Sequence, residues 1–219
     1  MTHLEVLVED SSGKASLEFL LPKILPSNVS FRIISYKGIG TLPKGLTPNS
    51  DPNKRILLDQ LPRLISGYGK AFANDAPGYR RWVVIICDLD DRDKQAFENE
   101  IAQLVIAASP KPPTIICLAI EEGEAWLLGD SDAVLEAYPH VSRADLARYV
   151  PDEICGTWEF MADLIEKGGA KGLKKLGFYE VGQAKHRWAT NIAPLIDIQR
   201  NKSPSFAQLV KALLESISA

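Results

Sequence analysis

Three acidic clusters in this chain have the spacing to do chemistry, and each directly follows an apolar run. They are Glu9 and Asp10 in "LEVLVEDSSGK", Asp88 and Asp90 in "VVIICDLDDRD", and Glu121, Glu122 and Glu124 in "TIICLAIEEGEAW". Carboxylates are hard oxygen donors. They suit Mg²⁺ or Mn²⁺, which bind few protein ligands and keep waters for substrate phosphates. Asp88 and Asp90 stand at i and i+2, so both can turn to one side and share an ion. Gathering such clusters at one place costs repulsion unless a cation is bound or some groups stay protonated. The expected metal ligands are Glu9, Asp88, Asp90 and Glu121. Glu121 or Glu124 would hold a second ion, and Asp10 is a further candidate.

The turn "EDSSGKAS" could also cradle a phosphate. A P-loop needs G-x-x-x-x-G-K-[ST]. Gly13 and Lys14 supply its second half, but Val8 stands where the first glycine belongs and Ala15 where the hydroxyl belongs. The P-loop reading fails at two fixed positions. The turn still leads into a helix N-terminus, where free N–H groups favour anions, and Lys14 could contribute a positive charge there.

The elements that must position these acids can be read from periodicity. "LEVLV" (4–8), "VSFRIIS" (29–35), "RWVVIIC" (81–87) and "TIICLAI" (114–120) are strand-like, the last two almost continuously apolar. That is how strands covered on both faces of a parallel sheet look. Apolar stripes at helical spacing occupy 15–25, 55–66 and 94–107. Strands alternating with helices predict an α/β fold with a mainly parallel sheet of about four strands. The strand C-termini of such a sheet line the ligand crevice, and all three acidic clusters lie at strand C-termini. Beyond residue 121 only helices are expected, at 121–138, 143–149, 157–167, 180–199 and 205–217. They are broken at Pro139, Pro151, the "KGGAKG" run at 167–172, and Pro204. The expected organisation is an α/β domain at 1–128 with a helical C-terminal extension at 129–219 packed on it. The stretch 36–54, rich in Gly, Pro and Lys, reads as a long loop of the kind that is often functional.

Composition bounds the partners. The chain has 219 residues, is 46% hydrophobic and carries a formal net charge of −3. A negative chain has no global pull toward nucleic acid, so any binding needs a local basic patch. The Lys-rich stretch 166–175 is the candidate patch, or else a solvated loop and helix cap. The opening residues carry acids where a signal segment needs an apolar run, and no run is long enough to cross a membrane. Three cysteines without metal spacing argue against a disulfide scaffold. A reducing cytoplasm is the expected compartment, with Cys87 and Cys117 buried and unpaired in their strands. Trp126, Trp158 and Trp188 are expected in the core, His186 on the surface, and His3 and His140 without a role.

A glutamate after the first strand and a later strand ending in D-x-D resemble the Toprim domain of topoisomerases, DnaG-type primases and the overcoming-lysogenization-defect (OLD) nucleases. The wider chain resembles a bacterial family of unknown function placed near the OLD-type proteins. The matching pieces include "LVEDSSGKASLEFLLPKIL", "IICDLDDRD", "AIEEGEAWLLGD", "KHRWATNIAP" and "NKSPSFAQLV". The resemblance maps Glu9, Asp88 and Asp90 onto the Toprim acids and implies a Toprim-like fold. It implies a Mg²⁺- or Mn²⁺-dependent nuclease acting on DNA or RNA, with Glu9 and Glu124 in catalytic roles. It also implies a lysine beyond the acids, for which Lys185 in "GQAKHRWA" is the candidate and Lys14 the runner-up. A partner ATPase and a role in phage defence come from the resemblance alone. OLD-type enzymes often carry a second acid where this chain has Gly13, and glycine where it has Asp10. That departure leaves open a non-catalytic Toprim-like module binding nucleic acid or protein. D-x-D also serves metal–nucleotide binding in glycosyltransferases and the haloacid-dehalogenase phosphatases, whose motif lies on the first strand.

Overall fold

The computed structural model describes residues 1–38, 40, 56–153 and 156–218. Most of the long loop expected at 36–54 lies outside the described residues, as does Cys155. Four strands form the sheet: β1 (Thr2–Val8), β2 (Val29–Ser35), β3 (Arg80–Asp88) and β4 (Thr114–Ala119). They run in the order β2-β1-β3-β4, and every neighbouring pair is parallel. The expected α/β class and parallel sheet are therefore what the chain adopts.

The alternation within the apolar runs decides what covers each face. Leu4, Val6 and Val8 of β1, Val84 and Ile86 of β3, and Ile115 and Cys117 of β4 share one hydrophobic cluster. Leu7, Val83, Ile85 and Cys87 face the other way, into a second cluster. Both faces being covered is why Val83–Cys87 of β3 is unbroken apolar sequence. Cys87 and Cys117 are buried and free. The second cluster is closed by helices α2 (Leu57–Phe72) and α3 (Lys94–Ile106). The first is larger. It takes in α1 (Ser11–Ile24) and reaches through the helices of the C-terminal half to Ile217.

That half contains α4 (Glu124–Leu128), α5 (Ser131–Ala137), α6 (Arg143–Leu146), α7 (Thr157–Ile165), α8 (Gly169–Leu176), α9 (Phe178–Ile192) and α10 (Pro204–Ser218). It departs from the expected helices in several places. The helix expected at 143–149 stops at Leu146, and the one expected at 180–199 starts at Phe178, stops at Ile192 and gives way to a 3-10 turn at Ala193–Leu195 that holds Pro194. The stretch 121–138 is split because Asp130 leaves the helix to cap α5, accepting from Ala133 N, while Arg200 and the amide of Asp197 hold its carboxylate. The glycine-rich run at 167–172 does not stay a loop. Gly168 and Gly169 take positive φ, and the chain then turns into α8. "NKSPSF" does start the last helix: Ser203 Oγ accepts from Phe206 N and Pro204 occupies the first turn, where its missing N–H costs nothing. Trp126 and Trp188 are buried, and Trp158 is partly buried beneath Lys174. His186 is exposed. His3 is less idle than expected, since it hydrogen-bonds Ser30 and lies 3.6 Å from the buried Glu5. Among the described residues, no helix is long and apolar enough to cross a membrane.

Candidate functional site

In the order β2-β1-β3-β4 the chain crosses from β1 to one side and later returns to the other. The switch falls between β1 and β3, and a crevice opens there at the strand C-termini. Glu9 is the residue after β1 and Asp88 is the last of β3. They meet: the amide of Asp88 donates to Glu9 Oε2 at 3.3 Å. The cleft above them is lined by Glu9, Asp10, Gly13, Asp88, Glu124 and Trp126, among others.

Glu124 enters from the first turn of α4 and is 3% exposed. Lys185, from the middle of α9, reaches back to the same place. Its Nζ is 3.0 Å from Glu124 Oε2 and 3.7 Å from Glu122 Oε1. Glu122 is further held by the amide of Trp158 at the start of α7, 2.9 Å away. So four of the expected residues, Glu9, Asp88, Glu124 and Lys185, belong to one cluster.

The others are placed differently. Asp10 lines the cleft but caps α1, accepting from Gly13 N at 2.7 Å and from Ser12 Oγ. Asp90 is exposed, in a left-handed turn at φ 51. It is near enough to act on the charge of Glu9. Glu121 takes φ 66, and its buried carboxylate accepts from the hydroxyl of Thr157. Glu122 instead faces Lys185, a role not assigned from sequence. Three acids in four positions identified the cluster, but which one points inward depends on the backbone turn at Glu121. Lys14 is paired with Glu18 one helical turn on, 3.6 Å away. Asp93, last of the "DLDDRD" acids, caps α3.

Gly13 matters for a different reason. A Cβ there would lie 2.7 Å from Val8 Cγ2 and 3.1 Å from Asp10 Oδ1. Any side chain at that position has to displace its neighbours, so the turn has no ready room for a second acid.

The residues 8–214 match the family described as "Domain of unknown function (DUF4276)". The chain belongs to the DUF4276 family. No curated protein and no solved structure matches it. The acidic cleft of this DUF4276 protein therefore has to be interpreted from its own physics.

Burial is the main cause of its electrostatics. It raises Glu9 to about 7, and repulsion from Asp10 and Asp90 adds to this, opposed by the Asp88 amide and Lys185. Burial likewise raises Glu122 to about 7. Asp88 is pushed well up by burial and then by Glu9, and Glu124 is raised by burial against the pull of Lys185. Burial works against the charge on Lys185. The carboxylates of Glu124, Glu122, Asp88 and Asp10 outweigh it and hold the lysine protonated.

Among the described residues, no three His, Cys, Asp or Glu side chains already converge as a closed metal site. The donor chemistry nevertheless fits a hard divalent cation. Hard oxygen donors crowd a desolvated cleft in which Lys185 is the cation paired with them.

The shifts fix a pH dependence. An acid raised from 4.5 to about 7 is still protonated in the folded protein where the unfolded chain has released its proton. Across that window the native state binds more protons, so stability falls as pH rises and the loss is complete above about pH 7. The melting temperature in EDTA is expected to fall between pH 5 and pH 8. Mn²⁺ should offset the fall at the alkaline end, because the ion competes for the same carboxylates. A metal-free melting temperature that climbs over this range would mean the acids are not desolvated.

Proposed function

We propose that this protein is a Toprim-like, Mg²⁺- or Mn²⁺-dependent nuclease that hydrolyses phosphodiesters of DNA or RNA. The carrying observation is the meeting of Glu9 and Asp88 at the β1/β3 switch point, with Lys185 opposite them on Glu124. Glu9 and Asp88 would hold the ion, and Glu124 and Asp90 are the further candidates for its set. A bound divalent ion polarises a phosphoryl oxygen and lowers the pKa of a water. Lys185, fixed and desolvated, supplies positive charge where the phosphoryl group gathers negative charge in the transition state. Glu9, ionised once the ion is bound, would hold the metal-bound water beside the phosphoryl group. The resemblance to OLD-type proteins extends this reading to phage defence and to a partner ATPase, and the free, buried Cys87 and Cys117 fit a reducing cytoplasm.

The test is a thermal-shift titration with Mn²⁺ beside cleavage assays on labelled single-stranded and duplex DNA and RNA. A metal-dependent rise in melting temperature with cleavage supports the reading. One observation favours a second reading, a non-catalytic module. Gly13 is packed against Val8 and Asp10 is spent as a helix cap, which leaves fewer ligands for a second ion. Nucleic-acid binding without metal shift or cleavage would select the module.

A further inference from the structure

The α8–α9 corner leaves three large apolar side chains in solvent. Leu176 is 68% exposed, Phe178 97% and Tyr179 74%. Such a cluster on a chain whose other large apolar groups are mostly buried marks an interaction surface. Its setting is basic. From Glu166 to Glu180 the chain carries Lys167, Lys171, Lys174 and Lys175 against those two acids, in a protein of net charge −3. Lys174 is anchored, paired with Glu159 at 2.9 Å and lying over the Trp158 ring. Lys167, Lys171 and Lys175 are exposed.

The corner begins the helix that carries Lys185. Phe178 and Lys185 are seven residues apart on α9, which places them on one face about 10 Å apart along the axis. Between them on that face stands Gly182. It is exposed, and a Cβ there would meet nothing within 4 Å. The face therefore runs from an exposed ring, across bare backbone, to the lysine that pairs with Glu124.

We propose that this corner is a stacking platform for single-stranded nucleic acid, with Phe178 and Tyr179 taking unpaired bases and α9 leading the backbone to Lys185. The proposal rests on the reading of the cleft as a phosphodiester site, and it names the substrate as single-stranded. Stacking on an exposed ring needs a free base face, which a duplex hides. Lysines around the rings supply the phosphate attraction that the rest of the chain lacks. A protein partner is a poorer occupant, since lysine is depleted from the cores of protein interfaces.

The test is fluorescence anisotropy in EDTA, so that binding is read without cleavage. The probes are a short fluorescein-labelled single-stranded DNA, RNA of the same sequence and the matching duplex. Wild type should bind the single strands more tightly than the duplex. The double variant Phe178→Ala, Tyr179→Ala should weaken single-strand binding at least about 25-fold, since each of the two lost stacked bases is worth about 5-fold or more. Both side chains lie in solvent, so folding should survive, as circular dichroism will check. Gly182→Leu is the independent variant. Leucine is the better helix former, so the melting temperature should hold or rise while binding falls. Equal binding of duplex and single strand, no binding at all, or binding untouched by these variants would overturn the platform. Sedimentation showing a self-associated wild type and a monomeric double variant would assign the patch to a second copy instead. Cleavage that persists while the variants have no effect would leave the nuclease reading standing and remove only the platform. Single-strand binding that depends on the patch, with no cleavage in Mn²⁺, would do the reverse.

Discussion

Asp88→Ala should abolish Mn²⁺-dependent cleavage and leave the metal-free protein as stable as wild type, or more so. Asp88 ends the central strand β3 against Glu9, where burial and the neighbouring charges of Glu9 and Glu124 disfavour its ionised form. Losing it relieves repulsion and removes a proposed ligand together. Altering a residue that only supports a metal ligand already costs about 10–100-fold in metal affinity or activity, so a direct ligand should cost more. The metal-induced rise in melting temperature should shrink in parallel. A structural aspartate behaves in the opposite way: its loss removes a hydrogen bond or a cap, costing about 0.5–2 kcal/mol, and changes no response to metal. Melting curves in EDTA and in Mn²⁺, beside a cleavage assay, separate the two. A variant that melts lower in EDTA but responds to Mn²⁺ like wild type would remove Asp88 from the site.

The second large effect belongs to Lys185→Met. Methionine keeps the apolar stem and removes the ammonium, leaving Glu122 and Glu124 facing each other inside the cleft. Breaking a buried pair from one side costs about 3–5 kcal/mol, or on the order of 10 °C in a chain of this size. The loss should be greatest near pH 8 and small at pH 5, where the raised acids Glu9 and Glu122 are protonated and need no partner. Mn²⁺ should raise the melting temperature of the variant by more than that of wild type, since the ion then supplies the missing charge. Cleavage should be lost all the same, because the proposed role of the lysine is to act on the phosphoryl group. An unchanged melting temperature at pH 8 in EDTA would show that the carboxylates do not depend on it.

The parts legible in the sequence were those set by local pattern. The apolar runs ending at Val8 and Cys87 located β1 and β3, and placed Glu9 and Asp88 at their C-termini before any topology was known. Which acids share a site was less legible, because that depends on the strand order and on single backbone turns. The left-handed residue at Glu121 sends its carboxylate to Thr157 and gives Lys185 to Glu122. Asp10 and Asp93 have the composition of ligands, but the helices that begin after them use both as caps. The choice between Lys14 and Lys185 rested on resemblance. The ion pair of Lys14 with Glu18, at i and i+4, was a local signal that could have decided it. The exposed corner at Leu176–Tyr179 had no such signal, because an apolar cluster beside lysines reads equally well as the buried edge of a helix.

The packing of α1 on α9 has a consequence for how this protein can be cut or recombined. Asp10 at the head of α1 and Lys185 within α9 are opposite charges of one cleft, and their helices share one core with the sheet. A break near residue 128 would separate the acids from their only paired cation among the described residues. It would also uncover the part of that sheet face that the C-terminal helices bury, α10 on β4 among them. The sheet and the C-terminal helices are therefore not a catalytic module and an accessory that could be exchanged with another protein. Whatever chemistry the cleft performs is inherited, lost or transplanted as one piece.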